Sequence, residues 1–400
     1  MTTSGAAATD APASAGAPEG SPPAAGPPEP VLPRYGGACL TSVVPALMGR
    51  RHEPPEWLPE PARQARQVVL LVLDGFGWTQ LQAASAGLPA LATGVGGPIT
   101  SVAPSTTATA LTSLATGAPP AVHGVVGYRL RLGAGGDRRG QAEVMNVLRW
   151  RNDGGDLRRR VPARRFQPVA PFGGEPVPVV TRAEFASTGF SAAHLAGARM
   201  VGWSVPSTMV VETRRLLREG EPFVYVYYDG LDKVAHERGL GEHYAEELRA
   251  TDRIVADLVD ALVPGAALVV TSDHGQVDVG TAARLPGPEL LADVEILSGE
   301  GRFRWLHARP GAADDVLAAA KEAHGHEAWV HTRDELVDAG WFGGPLGSEV
   351  ASRLGDVALV AHAPVAFLDP ADTGETRLLA RHGSLTAAEM LVPLVAWAAP

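Results

Sequence analysis

Cysteine occurs once in 400 residues, as Cys39. The chain therefore has no intramolecular disulfide and no cysteine-based zinc site. Lysine is nearly as scarce: only Lys233 and Lys321 among 34 basic residues. The 44 acidic residues leave a net charge of −10, which argues against whole-surface binding to a nucleic-acid duplex. No stretch approaches about 18 consecutive apolar residues, so no helix is expected to span a membrane. Residues 1–30 lack aromatics and hold nine Ala, seven Pro, four Gly and three Ser. Such a segment cannot bury enough apolar surface to offset its ordering entropy, and we expect a disordered tail over 1–37. It also lacks the basic and apolar regions of a signal peptide, which makes the cytoplasm the expected location.

What remains, residues 38–400, alternates short apolar runs with helical patterns. Gln67–Leu73 (QVVLLVL) is almost continuously apolar, as a strand buried on both faces would be. Pro222–Tyr228, Ala266–Thr271 and Asp356–Ala361 read the same way. Between them, Glu242–Leu262 carries Leu248, Val255, Leu258, Val259 and Leu262 at helical spacing. The alternation predicts an α/β fold around a largely parallel sheet with helices on both faces. Two regions break the rhythm and are expected to be cap-like insertions, about 129–200 and 280–350. The first includes eleven arginines against four acidic residues between 129 and 165, a composition that fits a solvated face.

The residues with chemistry stand where apolar runs end. Asp74 follows the first run directly, and ligands of open α/β sheets bind beyond the carboxyl ends of strands. Tyr228 leads into Asp229, Asp232 and His236, and Thr271 leads into Asp273 and His274. Asp232 and His236, four apart, share one face of a helical turn. Arg381-His382-Gly383 offers another histidine ahead of an apolar segment, Ala387–Trp397, expected to be helical. Carboxylate oxygens with imidazole nitrogens suit zinc, or less selectively manganese. In Pro104-Ser-Thr-Thr107, a helical pattern starts near Thr107. A helix N-terminus suits phosphate, although taken alone the segment is explained by a threonine cap. His324, His326 and His331 lie in a polar segment without acids at strand ends and are not expected to bind metal. His123 and Asp229 are expected to be structural.

LDG at 73–75, PSTT ending at Thr107, ATG at 115–117, HG at 123–124, Asp232-x-x-x-His236, SDHG at 272–275 and HG at 382–383 occur in this order. As a set, across residues 67–390, they resemble the type I phosphodiesterase/nucleotide pyrophosphatase group of the alkaline phosphatase superfamily. The resemblance implies an alkaline-phosphatase-like fold and two divalent ions. Asp74, Thr107, Asp273 and His274 would hold one, and Asp232, His236 and His382 the other. It further implies Thr107 as the nucleophile, with Thr106 the neighbouring alternative, and a phospho-threonine intermediate. The expected partner is a small phosphorylated substrate, nucleotide-like, cleaved at a phosphodiester or pyrophosphate bond. Phosphomonoesterase, phosphonate hydrolase or phosphomutase chemistry on the same scaffold is the alternative. An inactive phospholigand-binding protein is a further one, against which the seven intact candidate ligands count.

Overall fold

Seven strands form the central sheet of the computed structural model, which describes residues 1–2, 27–49, 54–133 and 143–400. They are β1 (Gln67–Leu73), β2 (Val95–Thr100), β3 (Pro178–Arg182), β4 (Arg199–Trp203), β5 (Phe223–Tyr228), β6 (Ala266–Thr271) and β7 (Leu391–Ala398). Their order across the sheet is β2-β7-β6-β1-β5-β3-β4. β1 lies between β5 and β6, parallel to both, and β7 alone runs antiparallel. The continuous apolar runs follow from burial on both faces. Val68, Leu70 and Val72 enter one core, while Val69, Leu71 and Leu73 enter the other. Helices Leu40–Met48 and Thr107–Thr116 cover the first face, and Pro206–Arg218 and Glu242–Asp260 the second.

Several expectations are corrected. Residues 391–398 form a strand after one helical turn at Ala387–Met390. Val392, Leu394 and Ala396 face one core while Val395 and Trp397 face the other, so the strand is apolar without visible alternation. Val357–Ala361 is a strand outside the central sheet, in an antiparallel four-stranded sheet with Val294–Glu300, Phe303–Ala308 and Ala328–Thr332. Its two faces are also both covered, which is why it read like a parallel strand. Three of this second sheet's four strands lie within the 280–350 insertion. The other insertion is shorter than expected, because β3 and β4 within 178–203 belong to the central sheet. The rest of that region builds a small antiparallel sheet from Arg129–Leu132, Glu143–Asn146, Arg151–Asn152 and Gly155–Asp156.

The tail boundary at 37 also moves. Val31 N–H donates to the Leu385 carbonyl, the Pro28 carbonyl accepts from the Trp329 indole, and Tyr35 donates to the Trp341 carbonyl. Residues 27–37 thus pack on the body, and the disorder expected for the Ala/Pro/Gly-rich stretch falls, over 3–26, outside the described residues.

Candidate functional site

Topology brings the candidate residues to one edge of the sheet. Asp74 follows β1, Asp273 and His274 follow β6, and Gly230–Arg238, the helix after β5, carries Asp232 and His236. Thr107 opens the helix that comes after β2. His382 precedes β7, and because β7 runs antiparallel its start lies at the edge where the other strands end. A bridge between Ser105 and Gly383 then fixes the Thr107 segment against the His382 segment. The motif glycines allow these approaches. Gly75 has φ of +74°, and a Cβ there would lie 2.7 Å from Gln276 Nε2. A Cβ on Gly275 would lie 1.9 Å from the Ala388 carbonyl oxygen, so no other residue fits.

All seven candidates converge. Thr107 Oγ1 is 3.1 Å from His274 Nε2, which lies 3.4 Å from both Asp74 Oδ1 and Asp273 Oδ2. Asp232 Oδ1 is 3.2 Å from His236 Nε2 and 3.8 Å from His382 Nε2. The His274 and His382 rings stack with centroids 3.5 Å apart. Donor atoms of Asp74, Asp273 and His274 lie within 4.8 Å of one another, as do those of Asp232, His274 and His382. His274 thus sits where the two groups meet, and His236 flanks the second through Asp232.

The environment orients each donor. His236 Nδ1 lies 2.7 Å from the Ala380 carbonyl, His274 Nδ1 3.0 Å from that of Gly275, and His382 Nδ1 3.1 Å from that of Ser105. A carbonyl only accepts, so each Nδ1 carries a proton and each Nε2 is turned to the cluster. Tyr227 donates to Asp74 Oδ2, leaving buried Oδ1 with no partner. Asp273 Oδ1 accepts from the N–H groups of Gly75 and His274 and from Ser272, leaving buried Oδ2 with none. Gln276 donates to Asp232. Burial, and then the charges of Asp273 and Asp232, push Asp74 well above the carboxylate range. Burial likewise raises Asp273, and burial beside His274 and His236 holds His382 well below the ordinary imidazole value. Buried carboxylate oxygens without hydrogen-bond donors, beside imidazole Nε2 atoms, match the needs of a divalent transition metal.

Thr107 is the first residue of a ten-residue helix whose opening N–H groups have no partner within it. Thr106, extended at φ −120° and ψ 145°, precedes it as the cap. Glu300 lies beside Thr106, and burial pushes its carboxyl up to about 8. Sequence reasoning missed Tyr227, Gln276 and Glu300. Tyr227 had the one available signal, a hydroxyl at the end of an apolar strand. His123 is buried on Ser113 and the Val125 N–H, and His324 bonds to Glu327 and the Pro286 carbonyl. Asp229 is held by Arg182 Nε at 2.6 Å.

This fold and site define an alkaline-phosphatase-like protein with a cluster of candidate metal ligands beside a helix-terminal threonine. A family model for type I phosphodiesterase/nucleotide pyrophosphatase matches residues 68–385, and the chain belongs to that family. No curated protein matches. Murine ectonucleotide pyrophosphatase/phosphodiesterase 5 shares the fold at 16% identity, with a TM-score of 0.60 over 83% of this chain and 88% of that one. An inactive variant of it, in complex with AMP, aligns at 15% identity with the same score and coverage. Phosphonoacetate hydrolase from Sinorhizobium meliloti 1021, in complex with phosphonoacetate, aligns at 22% identity with a TM-score of 0.59, over 83% of this chain and 90% of that one.

Proposed function

We propose that the chain is a phosphodiesterase or nucleotide pyrophosphatase that works with two divalent ions, zinc or manganese, and uses Thr107 as its nucleophile. The observation that carries this reading is the gathering of three histidine Nε2 atoms with carboxylate oxygens that lack donors, beside the Thr107 hydroxyl. Asp74, Asp273, His274 and Thr107 would hold one ion, and Asp232, His236 and His382 the other. Bound there, the ions would lower the pKa of the hydroxyl and offset charge on the phosphoryl oxygens.

The chain supplies the rest. The opening N–H groups of Thr107–Thr116 point a positive dipole end at a phosphoryl group placed beside Thr107. Thr107 Oγ1 gives up its proton to solvent and attacks phosphorus as the bond to one substituent oxygen breaks, giving a phospho-threonine and the departing substituent, which keeps the bonding pair. Water then attacks phosphorus, the bond to Oγ1 breaks, and the hydroxyl regains its proton. A relative that holds AMP supports a small phosphorylated substrate.

Elemental analysis of the purified chain should find two transition-metal ions, and chelation should abolish hydrolysis of bis(p-nitrophenyl) phosphate. That diester should be cleaved with higher kcat/KM than p-nitrophenyl phosphate. Thr107→Ala should lower turnover by several orders of magnitude with the fold intact, and rapid quenching should trap phosphate on Thr107. Less than one metal ion per active chain, or near-native turnover of Thr107→Ala, would refute the reading.

A further inference from the structure

Two cavities flank Thr107. The larger, about 490 Å³, has apolar and aromatic walls that include Phe185, Phe190 and Tyr227. The smaller, about 270 Å³, opens beside His236 and His382 and is lined by Tyr128, Asn146, Arg149 and Arg381. Arg381, Glu375 and Asp372 of the smaller one already face an opposite charge. Arg381 lies 3.5 Å from Glu375, which also accepts two hydrogen bonds from Arg304. Asp372 faces Arg129, which itself pairs with Asp369. Glu300 is buried beside Thr106, burial pushes its carboxyl up to about 8, and its Oε1 has no hydrogen-bond partner. Arg149 differs: it is exposed at the mouth and makes no ion pair among the described residues.

The turn that presents Arg149 is anchored at a conformational cost. Its own N–H donates to Asn146 Oδ1 at 3.0 Å. The next residue, Trp150, has φ of +51°, a region a bulky side chain seldom adopts. Trp150 is fully buried, its indole N–H donates to the Val161 carbonyl at 2.8 Å, and its ring meets Phe166 edge-on. Such a strained residue persists only where its surroundings over-determine it. Among the described residues, no other arginine of this segment lines either cavity. Arg158 pairs with Asp156 and Arg160 with Glu143, and neither lines a cavity at Thr107.

We infer that Arg149 binds a negative charge on one substituent of the phosphoryl group, so that the preferred substrate is a phosphoanhydride or a diester with one anionic arm. A guanidinium presents paired donors that fit phosphate or carboxylate oxygens in a fork. The inference rests on the hydrolase reading above and adds the charge of the arm and the residue that reads it.

The test uses the full chain in its metal-loaded form. ADP, whose β-phosphate supplies the anionic arm, is compared with p-nitrophenyl thymidine 5′-phosphate, which has none. In Arg149→Gln the ratio of kcat/KM for ADP to that for the aryl ester falls about tenfold or more, the size of one charge-assisted hydrogen bond. In Arg158→Gln the ratio keeps its wild-type value. Binding of α,β-methylene-ADP, followed by titration calorimetry, weakens by a similar factor in Arg149→Gln and reads the contact without turnover. An unchanged ratio, an unchanged analogue affinity, or a wild-type chain that does not bind the analogue overturns the assignment. A wild-type chain that binds the analogue but hydrolyses neither substrate overturns the hydrolase reading instead, and the calorimetry then decides Arg149.

Discussion

Arg302 and Glu389, 87 residues apart in sequence, form a two-pronged ion pair with both N···O distances at 2.8 Å and both side chains fully buried. The pair joins the second sheet to the segment that carries His382. Glu389 also accepts from the Ser384 N–H and the Thr386 hydroxyl, and its carbonyl accepts from the Gly275 N–H beside His274. Removing one partner of such a pair leaves an uncompensated buried charge. Arg302→Met should therefore cost about 3–5 kcal/mol, read from denaturant midpoints. Arg302→Met with Glu389→Leu should cost less than the sum of the single variants. Additive losses would show that the pair is not coupled.

Tyr227 acts on the candidate metal cluster through Asp74, to which its hydroxyl donates. Outer hydrogen bonds of this kind set ligand orientation, and their loss typically weakens metal binding about 10–100-fold. Tyr227→Phe should show that loss in a chelator competition assay while its circular dichroism spectrum stays native. Native affinity in the variant would remove Tyr227 from the site.

Three histidines outside the cluster should govern stability below neutral pH. Burial pushes His123 down to about 3, His194 to about 4 and His307 to about 3. Each is neutral in the fold and would take up a proton on unfolding once the pH is below about 6.5. Their stabilising contribution is complete above that value and is lost as the pH falls from about 6.5 towards 4 and then 3. Each should contribute a slope of about 1.4 kcal/mol per pH unit between pH 6 and 5. His123→Gln should flatten the measured dependence by one such increment. An unchanged slope would mean that His123 protonates in the folded protein.

Residues 27–33 should be part of the stable body. Truncation through residue 33 removes the Val31 bond to Leu385 and the Pro28 bond to Trp329. Leu385 lies three residues beyond His382, so the loss falls near the candidate site. The melting temperature should drop by about 2–4 °C, the usual shift for about 1 kcal/mol in a domain of more than 150 residues. Equal melting temperatures for the truncated and full chains would show that the contacts add nothing.

Much of the site could be read from the chain because its chemistry is local in sequence. Asp74, Asp232 with His236, Asp273 with His274, and His382 each sit at the end of an element whose apolar pattern is visible. Thr107 is harder, since a threonine opening a helix has an ordinary explanation as a cap. It becomes distinctive only when its hydroxyl lies 3.1 Å from His274, 167 residues away in sequence.

The sequence by itself determined the α/β class, the buried runs of β1, β5 and β6, the family, and which residue types gather where those runs end. These rest on burial pattern and motif order, which are properties of short segments. Tertiary structure alone decided that 391–398 is an antiparallel strand, that Val357–Ala361 leaves the central sheet, and that Tyr227 holds Asp74. It also separated Arg149, which lines a cavity at Thr107, from Arg158 and Arg160, which pair elsewhere. Strand direction, sheet membership and the partner of a charged side chain are set by contacts between segments far apart in the chain. An apolar run covered on both faces carries no local mark of any of them.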